Sequence, residues 1–130
     1  MKLDTAPFKS RPPAAITRLL TQGEVESHIL AISETLEAET YRYAELSEAA
    51  AIREADYKFV AARKSVDLSQ SSNKMTVGER QSHVDIQCAV EFRAWKLAEA
   101  VRQSSKEALL SLRSRLDALR TLSANIRSMT

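Results

Sequence analysis

Residues 21–66 read TQGEVESHILAISETLEAETYRYAELSEAAAIREADYKFVAARKSV, with one glycine near the start and no proline. Thr21 and Glu24 have capping-box spacing: the threonine oxygen accepts from the amide three residues on, and the glutamate reaches back to the threonine amide. Apolar residues then recur at Val25, Ile29, Ile32, Leu36, Tyr43, Leu46, Ala50, Tyr57 and Val60. Those intervals are sums of three and four, which places the side chains on one stripe of a long helix with a heptad-like repeat. Glu39, Arg53 and Lys64 occupy stripe positions and interrupt it. Polar residues in such a seam set register or partner choice at a cost in stability.

The same start signal returns at Thr76-Val77-Gly78-Glu79, after a polar, turn-prone stretch Asp67–Asn73. The spacing predicts a helix over about 22–66, a loop over about 67–76, and a second helix over about 77–127 without a breaker. The first half of the second helix carries two apolar stripes: Val84, Cys88, Phe92 and Trp95, and separately Ile86, Val90, Leu97 and Val101. Its second half narrows to Leu109, Leu112, Leu116, Leu119 and Ile126, flanked by Arg113, Arg115, Arg120 and Arg127. The expected fold is all-α: a long antiparallel helical hairpin, coiled-coil-like, joined by a short loop. One partner helix covers one stripe, so a homo-oligomer is expected, with Phe92 and Trp95 among its contacts.

Composition agrees with long helices. Of 130 residues only 5% are aromatic, and there are 2 Gly and 3 Pro. An average chain carries roughly 7% Gly, so sandwiches, Rossmann domains and other folds built on many short elements are excluded. All three prolines, Pro7, Pro12 and Pro13, fall in residues 1–20, which predicts an extended arm there. The single Cys rules out a disulfide scaffold or a four-Cys zinc site and fits a reducing compartment. No apolar run approaches the ~18 residues of a membrane span, and the N-terminal Lys2, Lys9 and Arg11 precede no apolar core of a secretory signal. A cytoplasmic protein without membrane contact is expected.

The chemistry of catalysis is missing from the sequence pattern. There is no HExxH, no CxxC, no glycine-rich phosphate loop and no Gly-x-Ser-x-Gly. His28 and His83 are far apart, and His83 and Cys88 face different directions on a helix. Neither an enzyme nor a metal or cofactor site is expected.

Charge is unevenly distributed within a net +2. Residues 24–56 hold nine acids against Arg42 and Arg53, whereas residues 101–130 hold six basic and two acidic side chains. Between them, Lys58, Arg63, Lys64, Lys74 and Arg80 lie on either side of the loop, with Tyr57 and Phe59 among them. A hairpin brings these five cations to one end, where phosphate is attracted and an exposed aromatic gives bases a stacking surface. The other reading is that cations near a helix C-terminus complement its dipole. The Arg-rich tail, in turn, suits pairing with the acidic face of the first helix.

Tyr41, Tyr43 and Tyr57 on the first helix, Tyr-Lys-x-x-x-x-Arg-Lys at 57–64, a polar loop, Thr-x-x-Glu-Arg at 76–80 and the tail Leu119–Arg127 come in that order. This order and spacing, over about residues 35–128, resembles the UvsY-type recombination mediators of bacteriophages. The resemblance implies a small oligomeric protein that binds single-stranded DNA. It implies help in loading a RecA-like recombinase onto strands covered by single-stranded-DNA-binding protein, in the host cytoplasm if phage-encoded. It places DNA-binding residues at Lys58, Arg63 and Lys64 and oligomerisation in the Leu109–Ile126 region. The arm at 1–20 has no counterpart in the family. The competing class is a non-enzymatic coiled-coil adaptor that binds other proteins.

Overall fold

The computed structural model of the chain describes residues 20–71 and 74–129. Those residues form three α-helices and no strand: α1 (Gln22–Ser69), α2 (Val77–Gln87) and α3 (Ala89–Ser128). The expected arm at 1–20 lies, apart from Leu20, outside the described residues. No helix among them is long and apolar enough to cross a membrane.

Both start signals act as caps. The Thr21 side chain accepts from the Glu24 amide at 3.2 Å and opens a helix of 48 residues, roughly 70 Å long at 1.5 Å per residue. At Thr76 the full reciprocal box forms: the Glu79 amide donates to Thr76 Oγ1 at 3.1 Å, and the Thr76 amide donates to Glu79 Oε2 at 3.3 Å. The first helix runs to Ser69, beyond the expected end near residue 66, and the Ser69 hydroxyl donates to the Val66 carbonyl at 2.7 Å. The connection is shorter than expected for that reason, residues 70–76.

The second helix is not continuous. It divides at Cys88, whose φ of −104° and ψ of 17° leave the helical region, although no proline or glycine is there. Hydrogen bonds from the Cys88 amide to the Val84 carbonyl (2.9 Å) and from the Phe92 amide to the Cys88 carbonyl (3.0 Å) carry the ladder across. Inward positions step by four, four and three through Arg80, Val84, Cys88 and Glu91. A stutter of this kind changes the local winding, and it coincides here with the departure of Cys88 from helical dihedrals.

The long helices α1 and α3 pack against each other along most of their length. Partners on α3 fall in number as those on α1 rise: the Gln22 side-chain amide donates to Ser123 Oγ at 2.9 Å, Arg102 donates to the Tyr43 hydroxyl at 3.2 Å, and the Tyr57 ring stacks on Trp95. Val25, Ile32 and Ala50 of α1, Val84, Cys88, and Leu109 and Leu116 of α3 are the buried apolar residues. Ser105 and Ser123 are buried in the same line. Along α1 the inward positions step by four, four and three from Leu46 through Ala50 and Glu54 to Tyr57. Hence Glu54, not the expected Arg53, turns inward, and Arg53 is exposed; Glu39 and Lys64 are half-buried as their register requires.

Leu116→Ala is expected to cost about 2–3 kcal/mol in urea unfolding, near the low end for a buried leucine, because an open groove bordered by Leu36 and Arg120 adjoins the site. Gly23 and Gly78 lie in first helical turns without positive φ, and an added Cβ meets nothing within 4 Å at either. Gly23→Ala and Gly78→Ala should therefore each raise stability by about 0.5 kcal/mol, read as a higher urea midpoint.

Candidate nucleic-acid interface

The five cations singled out from the sequence all belong to the end of the molecule where α1 leads into α2, but in different settings. Lys58 is exposed and paired with Glu54 one turn earlier at 2.8 Å. Arg63 is exposed, and so is Lys74 in the connection. Lys64 is half-buried in the seam, close enough to Cys88 for its charge to favour the thiolate. Arg80 is half-buried, with Nε unpartnered. Lys58, Arg63 and Lys74 are therefore the exposed cations of the set, Lys58 within its ion pair to Glu54, and Lys64 and Arg80 serve the packing as well.

The helix dipole does not account for the group on α1. Because α1 continues to Ser69, no basic residue lies in its last turn. Dipole stabilisation fades within that turn.

The aromatic residues divide into two kinds. Tyr57 stacks on Trp95 with ring centres 5.4 Å apart and meets Phe92 edge-on at 5.3 Å. Phe92 and Trp95 are themselves edge to face at 5.8 Å. This cluster ties α1 to the start of α3, so Tyr57 is a packing residue. Phe59, two positions on, remains 65% exposed beside Lys58 and Arg63. The Lys96 ammonium lies 4.1 Å from the Trp95 ring centre and 5.6 Å from that of Phe92, a cation–π arrangement. Sequence reasoning missed Lys96. Its spacing of four from Phe92 on a helix was the available signal.

The residues expected to carry assembly are placed mostly within the chain. Leu109 and Leu116 are each 5% exposed, and Leu112, Leu119 and Ile126 are half-buried on the same line, facing α1. Trp95 is half-buried under Tyr57 and Lys96, whereas Phe92 keeps 43% of its surface exposed. The ion pairs Lys58–Glu54, Lys96–Glu99 and Arg120–Asp117 each join residues of one helix. The expected pairing of the Arg-rich tail with the acidic helix does not include Arg120, which turns to its own Asp117 at 3.9 Å.

Two titrating groups are shifted by this packing. The hydrogen bond from Arg102 holds the Tyr43 phenol below its ordinary value. Burial pushes the Cys88 thiol up, and the Glu91 carboxylate adds to the shift. An open groove beside Trp95 is lined by Ser47, Ala50, Glu54, Glu99 and Arg102. Among the described residues no group of three or more His, Cys, Asp and Glu side chains is placed to hold a metal ion.

No protein-family model, curated protein or solved structure matches the chain.

Cys88 is fully buried, and its raised thiol value leaves less thiolate at any given pH. Its reaction with a thiol-specific disulfide reagent at pH 8 is expected to be at least tenfold slower in the folded protein than in denaturant. Equal rates would show that the seam around Cys88 opens freely.

Proposed function

We propose that the chain is an antiparallel helical hairpin that self-associates and binds single-stranded DNA at the end where α1 leads into α2. The observation that supports this reading best is that Lys58, Arg63 and Phe59 stand exposed on α1, before its last turn, where the helix end has no use for cations. Lys74 adds a further exposed charge across the connection. Cations of this kind neutralise phosphates, and a solvent-facing phenylalanine offers a flat apolar surface to an unstacked base. Each hairpin supplies only a few contacts. Several hairpins in one assembly hold a strand by multivalency, without a new contact in any of them.

Together with its resemblance to UvsY-type mediators, this makes the protein a recombination mediator. A strand held across several subunits is presented to a RecA-like recombinase, while single-stranded-DNA-binding protein is displaced. The mediator hydrolyses no nucleotide and needs no cofactor. The second reading, a helical adaptor for other proteins, is favoured by the exposed Ile86, Val90, Leu97 and Val101.

Fluorescence anisotropy with labelled single- and double-stranded oligonucleotides across salt concentrations separates the two. Binding should favour the single strand and weaken steeply with salt. The combined variant Lys58→Ala, Arg63→Ala, Lys74→Ala should flatten the logarithmic salt slope by about 2, at ~0.7 per lost phosphate contact, with helicity unchanged. Wild-type protein that binds neither oligonucleotide leaves the adaptor reading in place of this one.

A further inference from the structure

The seam between α1 and α3 accounts for one face of each helix. Each also carries a second line of large side chains on the side turned away from the seam. On α1 this line holds Leu30 (63% exposed), Tyr41 (68%), Ile52 (53%), Phe59 (65%) and Val66 (53%). The last three are separated by seven residues each, with Ala55 and Ala62 between them, which is the spacing of a coiled-coil seam. The N-terminal half of the same line is acidic instead, with exposed Glu34, Glu37, Glu45 and Glu48. On α2 and α3 the outer line holds Ile86 (76%), Val90 (77%), Leu97 (61%) and Val101 (45%). It continues into Ser104, Ser111, exposed Arg115 and Ala118, and then Leu122 (37%).

We infer that these two outer faces are made for each other: the α1 face of one copy packs on the α2–α3 face of the next, head to tail. The inference rests on the antiparallel hairpin proposed above; the contact between copies takes up the Phe59 ring and leaves the exposed cations Lys58, Arg63 and Lys74 to the DNA. In that hairpin Ile52, Phe59 and Val66 and the line from Ile86 to Leu97 lie at the end near residues 70–76, and the glutamates and Arg115 lie further from it. Two copies side by side in the same sense then set Ile52, Phe59 and Val66 against Ile86, Val90 and Leu97. With Ile52 level with Leu97, Glu34 comes level with Arg115 at the far end, and Glu45 and Glu48 come level with Ser104 and Val101.

Pairing the α1 face with itself fails in either sense. Side by side in the same sense, it sets four carboxylates against four others. Reversed, it buries those carboxylates against Phe59 and Val66, which costs several kcal/mol for unpaired charges. The size is also sufficient. Seven apolar side chains at roughly 100 Å² each give about 700 Å², the apolar share of a small stable interface of about 1,200 Å². A contact between unlike faces leaves one of each kind free on the end copies. It therefore continues until the rotation closes a ring or, failing that, grows into a filament.

Phe59→Glu disables one face and Leu97→Glu the other. Both positions are exposed, so helicity by circular dichroism should match the wild type; if it falls, Phe59→Ser and Leu97→Ser replace them. In sedimentation velocity without DNA, the wild type should run above the monomer mass of 14.5 kDa. Each variant alone should run as a monomer, because it retains only one half of the contact. An equal mixture of the two should form a 1:1 species of twice the monomer mass, since each contributes the face the other has lost. A monomeric wild type at submillimolar concentration, or a variant that still assembles as the wild type does, overturns the inference. Homodimers of either variant alone also overturn it, because they show that a face pairs with itself. Loss of DNA binding with assembly intact would count only against the DNA-binding reading.

Discussion

Everything in this structure depends on a seam that is narrow and half polar. Among the described residues seven apolar side chains are buried, and Ala50 and Cys88 are small. Where a leucine zipper would repeat leucine, this seam has Ser105, Ser123 and the half-buried Glu39, Glu54, Lys64 and Arg102. Such positions contribute little transfer free energy, and Gln22 Oε1, Glu91 Oε2 and Ser105 Oγ are buried without a hydrogen-bond partner. What they supply is alignment. The bonds Gln22–Ser123 and Tyr43–Arg102 join residues whose numbers have the same total, so both specify one register along the pair of helices.

At the other end the alignment is set by aromatic rings instead. Tyr57, Phe92 and Trp95 form three mutual contacts, capped by Lys96. They are the largest side chains in a seam that also holds valine, isoleucine, leucine, alanine and serine. Next to them lies Cys88, where the seam spacing shifts and the second helix divides. A four–four–three step brings inward residues to the seam out of heptad phase, and the three rings fill the seam beside it.

The extent to which this was legible in the sequence differs by feature. Thr21 and Thr76 were readable because a cap is a local event, decided within four residues. The second stripe from Ile86 to Val101 was readable because its members follow one another at helical spacing in a short window. The matching line on α1 was not: Ile52, Phe59 and Val66 stand seven apart among alanines, and Leu30 and Tyr41 precede them at intervals of eleven among glutamates. A search for three-and-four spacing finds the richer inner stripe first. The Arg53/Glu54 exchange and the division at Cys88 have one cause, a change of phase that intervals alone leave undefined until the partner helix is in place. Of the candidate site, the cations were legible by charge. That Lys58, Arg63 and Lys74 are open while Lys64 and Arg80 are half-buried depends on tertiary packing.

The weak seam and the exposed outer lines are two aspects of one allocation. A 48-residue helix has enough surface for two apolar faces, and this chain divides its apolar residues between them instead of concentrating them on one. A hairpin that spent all its leucine, isoleucine and phenylalanine on the internal seam would be more stable alone and would offer no contact to a neighbour. Here the inner line mixes Val25, Ile32, Leu109 and Leu116 with the small and polar residues that fix register, and the outer lines take Ile52, Phe59, Ile86, Val90 and Leu97, whose burial would contribute as much again. In the proposed assembly, surfaces beyond the single chain add free energy to the fold, which links folding to protomer concentration. Phe59 stands where the two proposed roles meet, on the outer α1 line and beside Lys58 and Arg63. An assembly that covers its ring from one side leaves the neighbouring cations at the margin of the contact, repeated once per subunit, which is the arrangement a multivalent strand-binding surface requires.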